Sequence, residues 1–217
     1  MTNPNLTHLY FLLDRSGSMA TIVDDTVGGF DAFIKEQRQA PGECRVTLAQ
    51  FDDSYEEVYA DRPIAEVPSL VLQPRGTTAL LDSIARLVID AGERLAAMPE
   101  DQRPDTVIVG IMTDGMENAS REWTHPRVKE LIEKQTDVYQ WQFLYLGADQ
   151  DAIEVGASIG VGAAHSVTYG RGKVKQAMAA TSANMVAYRA AKAAGMPAPA
   201  AAEAARFTDE QRKDLEG

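Results

Sequence analysis

Oxygen-bearing side chains that can hold a metal ion are concentrated at three points of the chain. "LYFLLDRSGSM" ends an apolar run in Asp14 and follows it with Ser16 and Ser18. "RGTTALLDSI" places Thr77 and Thr78 at the start of a helical pattern. "IMTDG" sets Asp114 after a second apolar run, beside a glycine that permits a turn. Carboxylates and hydroxyls are hard ligands. With no sulfur or imidazole among them, the set suits Mg²⁺, Mn²⁺ or Ca²⁺ rather than Zn²⁺, and Mg²⁺ is the first expectation. The Asp14, Ser16, Ser18 spacing fits an extended loop, in which alternate side chains face one point while Arg15 and Gly17 face away.

Plainer roles compete for the same residue types. Asp14 and its serines resemble a helix cap, but Thr78 and Asp114, arriving at the same edge, favour a metal. Asp52–Ser54 reads as a turn. Asp151 with Glu154 reads as a capping box, which leaves Asp149 and Asp151 outside the site. Arg15 and Arg75 border the site and are expected to be solvated. Cys44 reads as a small core residue. His8, His125 and His165 lack metal-ligand spacing and are expected to be structural. Met112 and Met116, on either side of Thr113-Asp114-Gly115, are expected to pack.

The elements that position these groups alternate along the chain. "LYFLLD", "CRVTLAQF", "YEEVYA", "DTVIVGIMTD" and "WQFLYLGA" read as strands. Leu80, Ile84, Leu87, Ala91 and Leu95 recur on one helix face. "HPRVKELIEKQ", with Pro126 in its first turn, and Val174, Met178, Thr181, Met185, Tyr188 mark further helices. "VIVGIM" is apolar throughout, as in a parallel strand covered on both faces. "CRVTLAQFDDSYEEVYA" reads as a hairpin across "DDS" and makes one strand antiparallel. The fold class expected is α/β, a doubly wound, mostly parallel Rossmann-like sheet with one antiparallel edge strand and helices on both faces. Ligands of such sheets bind outside the carboxyl ends of the strands, where all three segments arrive. Residues 1–195 read as the domain. Residues 196–217 read as an Ala/Pro-rich linker and a short terminal helix capped by Thr208 and Gln211.

Composition narrows the function classes. The chain has 217 residues, 45% of them hydrophobic, enough for one sizeable core. Its net charge of −11 and pI near 4.7 argue against nucleic acid and against anionic membrane surfaces. One cysteine excludes an intrachain disulfide. The start lacks the charged and apolar regions of a signal peptide, and no stretch has the roughly 18 apolar residues of a membrane span. A cytoplasmic protein is expected.

Asp-x-Ser-x-Ser after the first strand, Gly-x-Thr before a helix, and a later Thr-Asp-Gly resemble the von Willebrand factor A domain over roughly residues 8–190. "GTTALLDSI", "TDGMENAS" and "FLYLGADQDA" are further similar to the stand-alone A-domain proteins of bacteria and phages. The resemblance implies a metal-ion-dependent adhesion site. Ser16 and Ser18 would bind the ion directly, Thr78 directly or through water, and Asp14 and Asp114 mostly through water. Thr78 is chosen over Thr77 because the family's threonine precedes an inward apolar position, here Ile84, by six residues. The function implied is a non-catalytic module that recruits a partner's Asp or Glu to the ion. Two rivals stand beside it. A Mg²⁺-dependent hydrolase would need an acid/base residue where Ser16 stands. A structural phage or assembly subunit would use the same site between subunits.

Overall fold

The computed structural model describes residues 2–216. Strands β1 (Asn3–Asp14), β2 (Glu43–Phe51), β3 (Tyr55–Pro63), β4 (Pro104–Thr113), β5 (Gln142–Ala148) and β6 (Ser166–Tyr169) form one sheet in the order β3-β2-β1-β4-β5-β6. Every pairing is parallel except β2–β3, the hairpin across Asp52–Ser54. The helices are α1 (Val23–Gln37), α2 (Leu80–Ala97), α3 (His125–Tyr139), α4 (Ala152–Ser158), α5 (Val174–Ala193), α6 (Ala198–Ala202) and α7 (Asp209–Leu215).

Alternation along β1 assigns its side chains to two cores. Leu9, Phe11 and Leu13 face a cluster with Phe30 and Phe33 of α1 and Met178 and Met185 of α5. Tyr10 and Leu12 face Ile84, Leu87 and Val88 of α2 and Val128 and Ile132 of α3. Both sheet faces are therefore covered, as the unbroken apolar run of β4 requires. Among the described residues no helix is long and apolar enough to cross a membrane.

Three elements depart from the sequence reading. Helix α1 and strand β6 were not anticipated. Helix α1 carries paired glycines, which lower its intrinsic propensity, yet a Cβ on Gly29 would stand 3.1 Å from Met178, so the glycine admits close packing on α5. Strand β6 is only four residues long. The third departure is the stretch read as a linker: residues 198–205 are helical, and Ala201, Ala205, Phe207 and Leu215 are buried in the α1/α5 core. Alanine is small enough to bury against α5 and is the best helix former, so composition alone misled. The terminal capping box is present: Thr208 Oγ1 accepts from Gln211 N at 3.1 Å, and Gln211 Oε1 accepts from Thr208 N at 2.9 Å.

Candidate metal centre

The carboxyl ends of β1 and β4 are neighbours in the sheet, and this adjacency brings Asp14 and Asp114 to one edge. The Asp14 side chain is buried. Its Oδ1 accepts the Ser16 N–H at 2.6 Å and its Oδ2 accepts the Thr113 hydroxyl at 2.5 Å. Burial raises the Asp14 carboxyl above its ordinary value, and the Thr113 and Ser16 hydrogen bonds oppose that shift. The chain is extended only as far as Ser16 and then enters a 3₁₀ turn, Gly17–Thr21. The pure alternation expected for this loop is therefore wrong. The turn brings Ser18 Oγ to 3.0 Å from Ser16 Oγ and lets it donate to Asp114 Oδ1 at 2.6 Å. Ser16 thus links the two carboxylates, its N–H held by Asp14 and its hydroxyl reaching Asp114 through Ser18.

Thr78 is buried and Thr77 is exposed. A Cβ placed on Gly115 would lie 2.9 Å from Thr78 Oγ1, 3.5 Å from Ser18 Oγ and 3.6 Å from Asp14 Oδ2, so oxygens from all three segments surround one small space. Asp114 Oδ2 is buried and has no hydrogen-bond partner; Arg171 Nη2 stands 3.3 Å away, within ion-pair reach but not aligned for a hydrogen bond. A buried carboxylate oxygen left without a donor beside converging hydroxyls fits a cation. Among the described residues no group of three or more His, Cys, Asp and Glu side chains forms a metal site, so any site here depends on its hydroxyls.

No protein-family model matches the chain, and no curated protein matches it in sequence. Solved structures do match. Proximal thread matrix protein 1 from the mussel byssus, in the form with a zinc-occupied MIDAS motif, is 15% identical over 88% of this chain and 47% of its own, with a TM-score of 0.58. The vWF domain of the type V pili tip protein Mfa5 from Porphyromonas gingivalis is 11% identical over 85% of this chain and 96% of its own, with a TM-score of 0.56. A von Willebrand factor type A protein from Catenulispora acidiphila is 12% identical over 86% of this chain, with a TM-score of 0.52. The chain has the von Willebrand factor A fold. It spans about half the length of the first solved chains that it matches, 47% and 46% of them.

Within this A fold, the five residues singled out in the sequence (Asp14, Ser16, Ser18, Thr78 and Asp114) come together. Asp149 and Asp151 divide: Asp151 caps α4, accepting from Ile153 N and Glu154 N, while Asp149 holds Arg171. Arg15 is not solvated. It is buried, pairs with Asp52 at 2.9 Å and with Glu56, and so ties the Asp14 loop to the β2–β3 turn. Arg75, the more exposed partner, holds Asp52 at 2.7 Å. Burial alone would raise the Asp52 carboxyl; hydrogen bonds from Ser54 and Arg75 outweigh it and hold the group well below the usual carboxylate range. Met112 is buried as expected, but Met116 is 77% exposed at the rim.

The sequence reading also missed the residues that position Thr78. Asn118 Oδ1 accepts the Thr78 N–H at 2.9 Å, and Asn118 N donates to Thr78 O at 3.0 Å. Glu117 accepts from Leu81 N, Ala119 N and Ser120 N. Both stand in "TDGMENAS", and the only sequence signal for them was their place in that segment.

Proposed function

We propose that the chain is a metal-dependent protein-binding module. Ser16, Ser18 and Thr78 with Asp14 and Asp114 would hold one divalent cation, Mg²⁺ by preference and Mn²⁺ or Ca²⁺ as alternatives. The carrying observation is the convergence of Thr78, Ser18 and Asp14 oxygens on the space beside Gly115. The zinc-occupied MIDAS of a fold relative adds support and brings Zn²⁺ into the test series. When bound, such a cation supplies a positive point that takes an Asp or Glu carboxylate from a partner protein. Catalysis is not part of this reading: none of the three histidines hydrogen-bonds or ion-pairs with the five residues, so no imidazole stands ready to take a proton there.

Charge sharpens the expectation. Without a cation, Asp14 repels an approaching carboxylate by roughly 3 kcal/mol at about 6 Å and an effective dielectric near 20, while Arg171, 3.3 Å from Asp114 Oδ2, offsets the charge of Asp114. Partner binding should therefore be nearly all-or-none with metal. The experiment has two arms. Mg²⁺ or Mn²⁺ should raise the melting temperature of the wild type, since a ligand at a hundredfold excess over Kd stabilises by about 2.7 kcal/mol. The rise should vanish in Asp14→Ala and in Gly115→Ala, whose methyl fills the space between the oxygens. A partner isolated by pull-down in Mg²⁺ should be released by EDTA. An equal thermal shift in wild type and both variants would overturn the assignment. Metal-dependent turnover of phosphoesters, lost in Asp114→Ala, would favour the hydrolase reading instead.

A further inference from the structure

Arg171 opens the 3₁₀ turn Arg171–Lys173 between β6 and α5, and its side chain reaches back over the site. Its Nε donates to Asp149 Oδ2 at 2.9 Å. Its Nη1 donates to Thr21 Oγ1 at 3.0 Å and to Ser18 O at 3.3 Å. Its Nη2 stands 3.3 Å from Asp114 Oδ2, the oxygen that has no hydrogen bond. The turn that carries it is itself fixed, because Gly170 N donates to Leu215 O at 2.9 Å and Lys173 N to Gly170 O at 2.8 Å. A cation is therefore built into the rim of a site made of carboxylates and hydroxyls.

We propose that Arg171 is the site's resident counter-ion, which neutralises Asp114 in the metal-free protein and which a divalent cation must displace from Asp114 Oδ2. This rests on the metal reading above. The guanidinium keeps its Asp149, Thr21 and Ser18 contacts when Asp114 is taken from it, so its positive charge stays close to the incoming ion. Like charges at that range oppose binding, and the effect is moderated because the side chain is 38% exposed. Arg171 thus trades metal affinity for a quiet metal-free state. It sets the cation concentration at which the site switches on. The sign is diagnostic: a residue that merely shapes the loop weakens metal binding when removed, whereas a counter-ion strengthens it.

The test is calorimetric titration of the full chain with Mn²⁺ alone, for wild type, Arg171→Gln, Arg171→Lys and Asp14→Ala. Arg171→Gln should bind Mn²⁺ about tenfold more tightly than wild type. It should melt at a lower temperature without metal and show a larger metal-induced rise. Arg171→Lys, which keeps the charge, should stay near wild type. Should Arg171→Gln not fold, Arg171→Met, which keeps an aliphatic stem, carries the same expectation. Silence in the wild type with binding in Arg171→Gln would also support the counter-ion. Unchanged or weaker binding in Arg171→Gln, with wild type binding and Asp14→Ala silent, would overturn the proposal and leave the metal reading standing. Absence of binding in every protein would overturn both.

Discussion

His8 is 3% exposed, with its Nε2 2.9 Å from Thr47 Oγ1 and its ring stacked on Tyr10 at a centroid distance of 4.1 Å. Burial first, then the charges of Arg45 and Arg94, push its pKa down to about 3. Asp61 lies 3.8 Å from Nδ1 but is occupied by Arg45 at 2.6 Å, so it offers the ring little compensation. An unfolded histidine takes a proton near pH 6.5, and the folded one does not until about pH 3. The unfolded state therefore binds more protons throughout that window, and stability falls as pH drops through it. Between pH 7.5 and pH 5, above most carboxylate titration, the loss is about 2 kcal/mol. Urea unfolding at pH 7.5, 6.5, 5.5 and 5 should show that slope in wild type and a flatter one in His8→Gln. Identical slopes would mean that His8 is not held neutral.

At the scale of elements, the N-terminus of α2 is the joint on which the candidate site depends. Ala79, at its N-cap, contributes no side-chain cap. The loop after β4 supplies the caps instead: Glu117 Oε2 accepts from Leu81 N at 2.9 Å, and Ser120 Oγ accepts from Asp82 N at 3.0 Å. In return, Asp82 accepts from Arg121 N at 2.7 Å and Trp123 N at 2.8 Å. This exchange satisfies helix-end donors that would otherwise lack partners, and it locks Thr78 to the Asp114 loop. Glu117→Ala should cost roughly 1–3 kcal/mol in chemical denaturation, the range for losing a cap and stranding partly buried donors. It should also reduce the metal-induced thermal shift, since Thr78 loses its frame, and Glu117→Gln should recover part of both. An alanine variant as stable as wild type would show that the loop is held by its other contacts.

Across the whole molecule, residues 198–215 complete one of the two cores. Phe207 is 2% exposed, and its N–H donates to Ala164 O at 2.8 Å. Arg212 donates to Ser166 O at 2.8 Å, and Asn184 of α5 exchanges hydrogen bonds with Gln211. The segment thereby covers β6, the short edge strand, and reaches the turn that carries Arg171 through the Gly170–Leu215 hydrogen bond. Phe207→Ala should cost about 3–5 kcal/mol, as for a large aromatic removed from a core. Urea unfolding measures it, and a cost below about 1 kcal/mol would mean that the terminus docks without contributing to the core.

Strand β4, helix α2 and the β2–β3 hairpin were legible in the chain because each carries a strong local signal: an unbroken apolar run, a 3.6-residue face, and a turn between two strand-like segments. Asp14, Ser16, Ser18, Thr78 and Asp114 were legible for a related reason, since each stands at the end of such an element. Local signals end where partners are distant in sequence. Nothing near Arg15 announces that Asp52 will bury it, nothing near Arg171 points to Asp114 or Ser18, and Glu117 finds Leu81 N across 36 positions. The Ala-rich segment after Gly195 looked like a linker because small residues lack a hydrophobic pattern, although they suit a close-packed surface on α5. The positions of the five residues proposed to hold a cation were thus determined by the sequence, through its periodicities and turn chemistry. Which charges surround them, and which loops hold them still, was decided by the order of strands in the sheet, because only tertiary contact brings those groups within reach of one another.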